Sequence, residues 1–95
     1  MGELAQFLNG ALCYADADRD LKAALPLVGG NSTMLSYTYY YLGVSNYQMG
    51  KLTADKSKML AGVQYSEKAV STGGPMQGQA SNNVAIMKRE LAGGR

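Results

Sequence analysis

Apolar side chains recur along this chain in steps of three and four and hardly anywhere in steps of two, which predicts helices throughout. Leu4, Phe7, Leu8, Ala11, Leu12 and Ala15 share one face of a first helix from about Gly2 to Ala15. Asp16 or Asp18 then suits the cap of a second helix carrying Leu21, Ala24, Leu25 and Val28 on one side. Pro26 removes a backbone donor from its last turn, and Gly29-Gly30-Asn31 ends it. Asn31, Ser32 or Thr33 offers a side-chain oxygen to the free N–H groups of a third helix that runs to Gly50. After the polar segment Lys51 to Lys58, a fourth helix has Met59, Leu60, Val63, Ala69 and Val70 on its apolar side and stops at Gly73-Gly74-Pro75. A fifth, from about Gln77 to Leu91, repeats Ala80, Val84, Met87 and Leu91 along one stripe, and Ala92 to Arg95 is expected to fray. Each stripe is narrow, so no helix is stable alone. Short connections predict an antiparallel, all-α array of about five helices forming one domain over residues 1–95.

Composition narrows the chemistry more than it narrows the fold. Ninety-five residues support one core that hides about 60–65% of the unfolded surface. Nine basic and seven acidic residues leave a net charge of +2, and no basic run exceeds Lys88-Arg89, which argues against nucleic acid. Histidine is absent and Cys13 is the single cysteine, so a Ser-His-Asp or Cys-His arrangement, a histidine zinc site and an internal disulfide are all excluded. Cys13, beside Leu12 and Ala15, is expected to be a small buried hydrophobe. No stretch reaches the roughly 18 apolar residues of a membrane span, and Met1-Gly2-Glu3 lacks the positive start of a signal peptide. The compartment stays open: cytoplasm is the first reading, and the periplasm fits if a signal peptide has been removed.

Two superficial motifs lapse on spacing. Gly43 and Gly50-Lys51 enclose six residues instead of the four of a phosphate loop, and Leu52 stands where Ser or Thr belongs. Asp16-x-Asp18-x-Asp20 lacks the glycine and the glutamate of a calcium loop, and reads as an N-cap cluster. Asn31-Ser32-Thr33 fits a glycosylation acceptor but also a helix cap, and is taken as the cap. No catalytic residue, metal ligand or cofactor is assigned.

Seven tyrosines are the unusual feature, concentrated between Tyr37 and Tyr47. The third helix reads Tyr39-x-x-Leu42-Gly43, then Tyr47, with a boundary at Gly50; the fourth has Gly62, Tyr65 and Ala69 and leads to Pro75. This resembles the tetratricopeptide (TPR) repeat, whose pattern is an aromatic, Leu-Gly and Tyr in a first helix, then a small residue, an aromatic and a proline in and after a second. Asn46 occupies the expected tyrosine position, with Tyr47 one place late, and Ser66 the strict position of the second aromatic. A weaker second copy places Val84-Ala85 at the Leu-Gly position, 42 residues after Leu42-Gly43 where a standard repeat has about 34. The surplus equals the length of Lys51 to Lys58, read as an insertion that lengthens the hairpin or its second helix. The resemblance implies a short α-solenoid: a degenerate hairpin over residues 2–30, a TPR-like repeat over 32–75 with the insertion at about 51–58, and a capping helix over 77–91. Lys- and Met-rich residues before Pro75-Met76-Gln77 are similar to C-terminal repeats of bacterial TPR proteins.

Helical geometry places Tyr37, Tyr40 or Tyr41, Val44, Tyr47 and Gln48 on one side of the third helix, and Tyr39, Leu42, Gly43 and Asn46 on the other. In the family it resembles, first helices line a concave groove, which implies that Tyr37, Tyr40, Val44, Tyr47 and Gln48 face a partner. The same rings serve equally as core in a chain with one Phe and no Trp. The resemblance also implies that Asn82 or Asn83 clamps a peptide backbone, with Lys88 or Arg89 attracting a carboxylate, against the plainer reading of a solvated face. The expected function is a non-enzymatic protein–protein interaction module or scaffold that binds a protein or peptide. The alternative is a structural subunit that self-associates or docks into a larger complex.

Overall fold

In the computed structural model, which describes residues 3–93 and the side chains from Cys13 onward, the chain forms four α-helices: α1 (Glu3–Val28), α2 (Ser32–Thr53), α3 (Lys56–Thr72) and α4 (Gln77–Gly93). The count is four and not five because the first two predicted helices are one. No glycine or proline interrupts Ala15 to Asp20, and the acidic residues expected to cap a helix lie inside it. They are neutralised there: Arg19 pairs with Asp16 at 3.3 Å and with Asp20 at 3.5 Å, and Lys22 with Asp18 at 3.0 Å. Pro26 falls within the final turn and the helix continues to Val28. The expected helical hairpin over residues 2–30 is therefore absent from the described residues. The proposed start at Gly2, the side-chain stripe from Leu4 to Leu12, and fraying at Gly94 and Arg95 lie outside them.

Asn31 caps α2 as expected, its Oδ1 accepting from the Met34 N–H at 3.0 Å. Gly50 does not end the helix. Lys51, Leu52 and Thr53 extend α2, Ala54 turns at φ 54°, and Asp55 starts α3 by accepting from the backbone N–H groups of Ser57 at 3.0 Å and Lys58 at 3.3 Å. Hydrogen bonding from the Ser57 hydroxyl, at 2.6 Å, is the first cause that holds the Asp55 carboxyl below its usual pKa. The segment Lys51 to Lys58 thus adds to both helices of the hairpin. Gly73, at φ 73°, ends α3 in the left-handed conformation that glycine adopts without cost.

The α2/α3 seam is closed by missing side chains. A Cβ added to Gly43 would collide with the Ser66 hydroxyl and lie 3.0 Å from the Ser66 nitrogen and 3.1 Å from the Gly62 oxygen. One added to Gly62 would lie 2.7 Å from the Tyr47 nitrogen, and one on Gly50 2.7 Å from the Met59 nitrogen. As the positions on α2 ascend from Gly43 through Tyr47 to Gly50, their partners on α3 descend from Ser66 through Gly62 to Met59, so the helices are antiparallel with their backbones in near contact. Tyr39 and Tyr65 stack across the seam at 6.4 Å, with the Lys68 ammonium 5.7 and 5.9 Å from their ring centres.

α1 packs against α2, turning Tyr14, Ala17, Leu21, Ala24, Leu25 and Val28 inward to half-burial. Asn46 secures this contact by donating to Asp18 at 2.7 Å and to the Leu42 carbonyl at 2.9 Å. Cys13, expected to be buried, is exposed: its position falls outside the inward set. α4 packs against α3 and touches α2 at few points. Ser36, fully buried, accepts from the Met76 N–H at 3.1 Å, and Gly74 lies against it, so the turn between α3 and α4 is anchored to the start of α2. Tyr47 reaches Glu90 near the other end. Partners separated by 40 residues at one end and 43 at the other make α4 parallel to α2. Tyr47, Val63 and Met87 form the buried cluster where α2, α3 and α4 meet, flanked by Met59 and Leu91.

Overpacking decides the first test. Gly43→Leu is expected to lose about 3 kcal/mol or more of unfolding free energy in urea, because rigid backbone limits relaxation. Gly78→Ala, in α4 with nothing within 4 Å of the added methyl, is expected to gain about 0.5–1 kcal/mol. A fully stable Gly43→Leu chain would contradict the close seam.

Candidate functional site

Because α4 leans on α3 and touches α2 at few points, a cleft of about 280 Å³ opens between the two parallel helices. Tyr40, Val44, Tyr47, Gln48 and Lys51 line it from α2; Asn83, Ile86, Met87 and Glu90 line it from α4. The spacing on α2 is that of one helical face, which is why residues 40 to 51 open onto a single space.

Its floor and its rim differ in kind. Tyr47 is 3% and Met87 5% exposed, and both belong to the core cluster. Tyr40, Val44, Gln48 and Asn83 are half-buried, and Ile86 is 47% exposed. At one end the Tyr47 hydroxyl donates to Glu90 Oε1 at 2.5 Å, and the Lys51 ammonium lies 3.7 Å from that oxygen and 5.7 Å from the centre of the Tyr47 ring. Burial, and then the hydrogen bond to Glu90, push the Tyr47 phenol up to about 12 from 10.0. The arrangement offers aromatic and aliphatic surface, amide groups on both walls, and a charge pair satisfied within the chain.

Of the residues singled out for partner contact, Tyr40, Val44, Tyr47, Gln48 and Asn83 come together in this cleft. Tyr37 is 41% exposed one turn before Tyr40, on the same side of α2. Asn82 is exposed outside the cleft, and Lys88 pairs with Glu67 of α3 at 2.9 Å. Among the residues expected to pack the repeat, Leu42 and Ala69 are fully buried, Gly43 and Gly62 close the α2/α3 seam, and Tyr39 stacks on Tyr65. Val84 is half-buried, whereas Pro75 and Ala85 are exposed. Two physical reasons account for the last pair: Gly74 supplies the turn's contact with α2, and no helix follows α4 among the described residues to cover Ala85.

Sequence reasoning passed over Lys51, Ile86 and Glu90, and read Met87 only as part of the apolar stripe. Lys51 follows Tyr47 by one turn on the same face of α2, and the 42-residue offset finds the other two: carried from Val44 and Gln48 on α2, it lands on Ile86 and Glu90 of α4. Asp16, Asp18 and Asp20 form no site; among the described residues no three Asp, Glu or Cys side chains come together as a metal-binding group. None of the described helices is long and apolar enough to cross a membrane.

Fold and cleft together define an all-α array of antiparallel neighbouring helices with a mixed aromatic and amide groove between two parallel ones. No family model matches the chain, and no curated protein or solved structure matches it either.

The raised phenol has a signed consequence. A pKa of about 12 in the folded chain against 10.0 means folding favours the neutral Tyr47, so its stabilisation is complete below pH 10 and is lost as pH rises towards 12. Tyr47→Phe is expected to lower stability at pH 8 by about 1 kcal/mol through the lost hydrogen bond and to flatten the decline between pH 10 and 12. Thermal melts of both chains across that range check the sign; an unchanged slope in the variant would contradict it.

Proposed function

We propose that this chain is a non-enzymatic interaction module, a short TPR-like α-solenoid that holds a segment of a partner protein in the cleft between α2 and α4. The observation that carries this reading is the convergence of Tyr40, Val44, Gln48 and Asn83, from two helices, on one open space. Supporting it, the helices that flank the cleft are parallel and offset by 40 to 43 residues, close to the sequence offset between Leu42-Gly43 and Val84-Ala85. In this reading α2 and α4 are first helices of successive repeats, α3 is the second helix between them, and α4 is the cap. Tyrosine suits the task because it supplies stiff contact area with a polar tip at small entropic cost. Catalysis has no place in the proposal: the chain has no histidine to serve as a general base for its single cysteine or its serines.

A second reading, self-association or docking into a larger assembly, is favoured by Leu27, 84% exposed at the end of α1, and Met34, 48% exposed at the start of α2.

Random linear peptides displayed on phage and selected on the immobilised chain test the first reading. Tyr40→Ala and Asn83→Ala are each expected to weaken captured peptides about tenfold, with far-UV circular dichroism unchanged. Binders indifferent to both substitutions would remove the cleft from the account. Light scattering tests the second: a strict monomer at micromolar concentration ends it, whereas a dimer broken by Leu27→Asp supports it.

A further inference from the structure

The aromatic strip on α2 continues beyond the cleft, and the polar groups in it are matched to a particular kind of chain. Tyr37 and Tyr41 are 41% and 48% exposed, and Tyr41 meets the Tyr40 ring edge-on at 5.1 Å. The strip therefore presents several ring surfaces in succession, leading into the space beside Val44. At the far end of the cleft the charges answer each other: Lys51 and Glu90 pair, and the Tyr47 hydroxyl is spent on Glu90. Nothing there calls for a charged occupant. The remaining polar groups, the amides of Gln48 and Asn83 and the hydroxyl of Tyr40, can all donate hydrogen bonds.

We infer that the occupant is a proline-rich segment in the polyproline II conformation, lying along the tyrosine strip of α2 and in the α2/α4 cleft; this rests on the reading of the cleft as a partner groove. Such a chain is uncharged in its prolines, presents carbonyl acceptors, lacks donors at every proline, and offers pyrrolidine rings to aromatic faces. Donor amides and phenols complement it, as they would not complement a helix whose backbone is already satisfied. Pitch agrees. Tyr37 and Val44, seven residues apart on α2, are separated by about 10.5 Å along the axis, near the roughly 9.3 Å of one polyproline turn.

Acetylated, amidated decaproline is the probe, titrated into the full chain against a length-matched Gly-Ser peptide and followed by amide NMR shifts. Decaproline is expected to bind at least about tenfold more tightly and to move the Gln48 and Asn83 side-chain resonances. Tyr37→Ala and Tyr40→Ala are each expected to weaken it about tenfold, Tyr40→Phe much less, and Leu27→Asp not at all. Decaproline binding no better than Gly-Ser overturns the inference. If proline-free peptides from the display selection still lose affinity on Tyr40→Ala, the groove stands and only its proline-rich occupant falls. If no peptide responds to Tyr40→Ala, both fall.

Discussion

The near contact of two helix backbones along Gly43, Gly50 and Gly62 governs the rest of this fold. With ordinary side chains there, α3 would stand farther from α2, and Tyr39 and Tyr65 would no longer stack at 6.4 Å. The seam also sets where α4 can go. α4 rests on α3 through Met87, and the height of α3 behind α2 decides how far the walls of the cleft stand apart. A shape seen at the surface between residues 40 and 90 is thus fixed by three positions with no side chain.

Polar groups at the ends of the array determine direction and register, while apolar contacts supply the adhesion between them. Ser36 takes the Met76 N–H at one end, and Glu90 takes the Tyr47 hydroxyl at the other, so α4 is held parallel to α2 without an extensive interface between them. Asn46 does the same for α1 through Asp18. Each of these bonds is buried or partly buried, where leaving a partner unmatched costs about 1–3 kcal/mol, and alternative registers are penalised accordingly.

The sequence made some elements legible and concealed others for definite reasons. Asn31 as a cap, the stop at Gly73-Gly74 and the apolar stripe of α4 follow local rules that tertiary packing does not override. Aspartate is ambiguous: the same residue caps a helix or sits within one when Arg19 and Lys22 are a turn away, and that ambiguity split α1 in two. Glycine is ambiguous in the same manner, since Gly50 terminates nothing and instead admits Met59. In the cleft, the α2 wall was readable because one helix face is a matter of arithmetic. Its α4 wall needed the offset between helices, and Lys88 looked available because its partner Glu67 lies 21 positions away on another helix.

Tyr47 and Met87 face the cleft with one edge and hold three helices together with the rest of their bulk. The space they floor is therefore divided into a part whose bulk also packs the core and a part, Tyr40, Gln48, Asn83 and Ile86, outside the buried cluster. Descendants of this chain would be free to exchange the rim and acquire new ligands while inheriting the same depth and the same aromatic base. Recognition here is tunable from the margin inward, and the centre of the site is the portion least open to change.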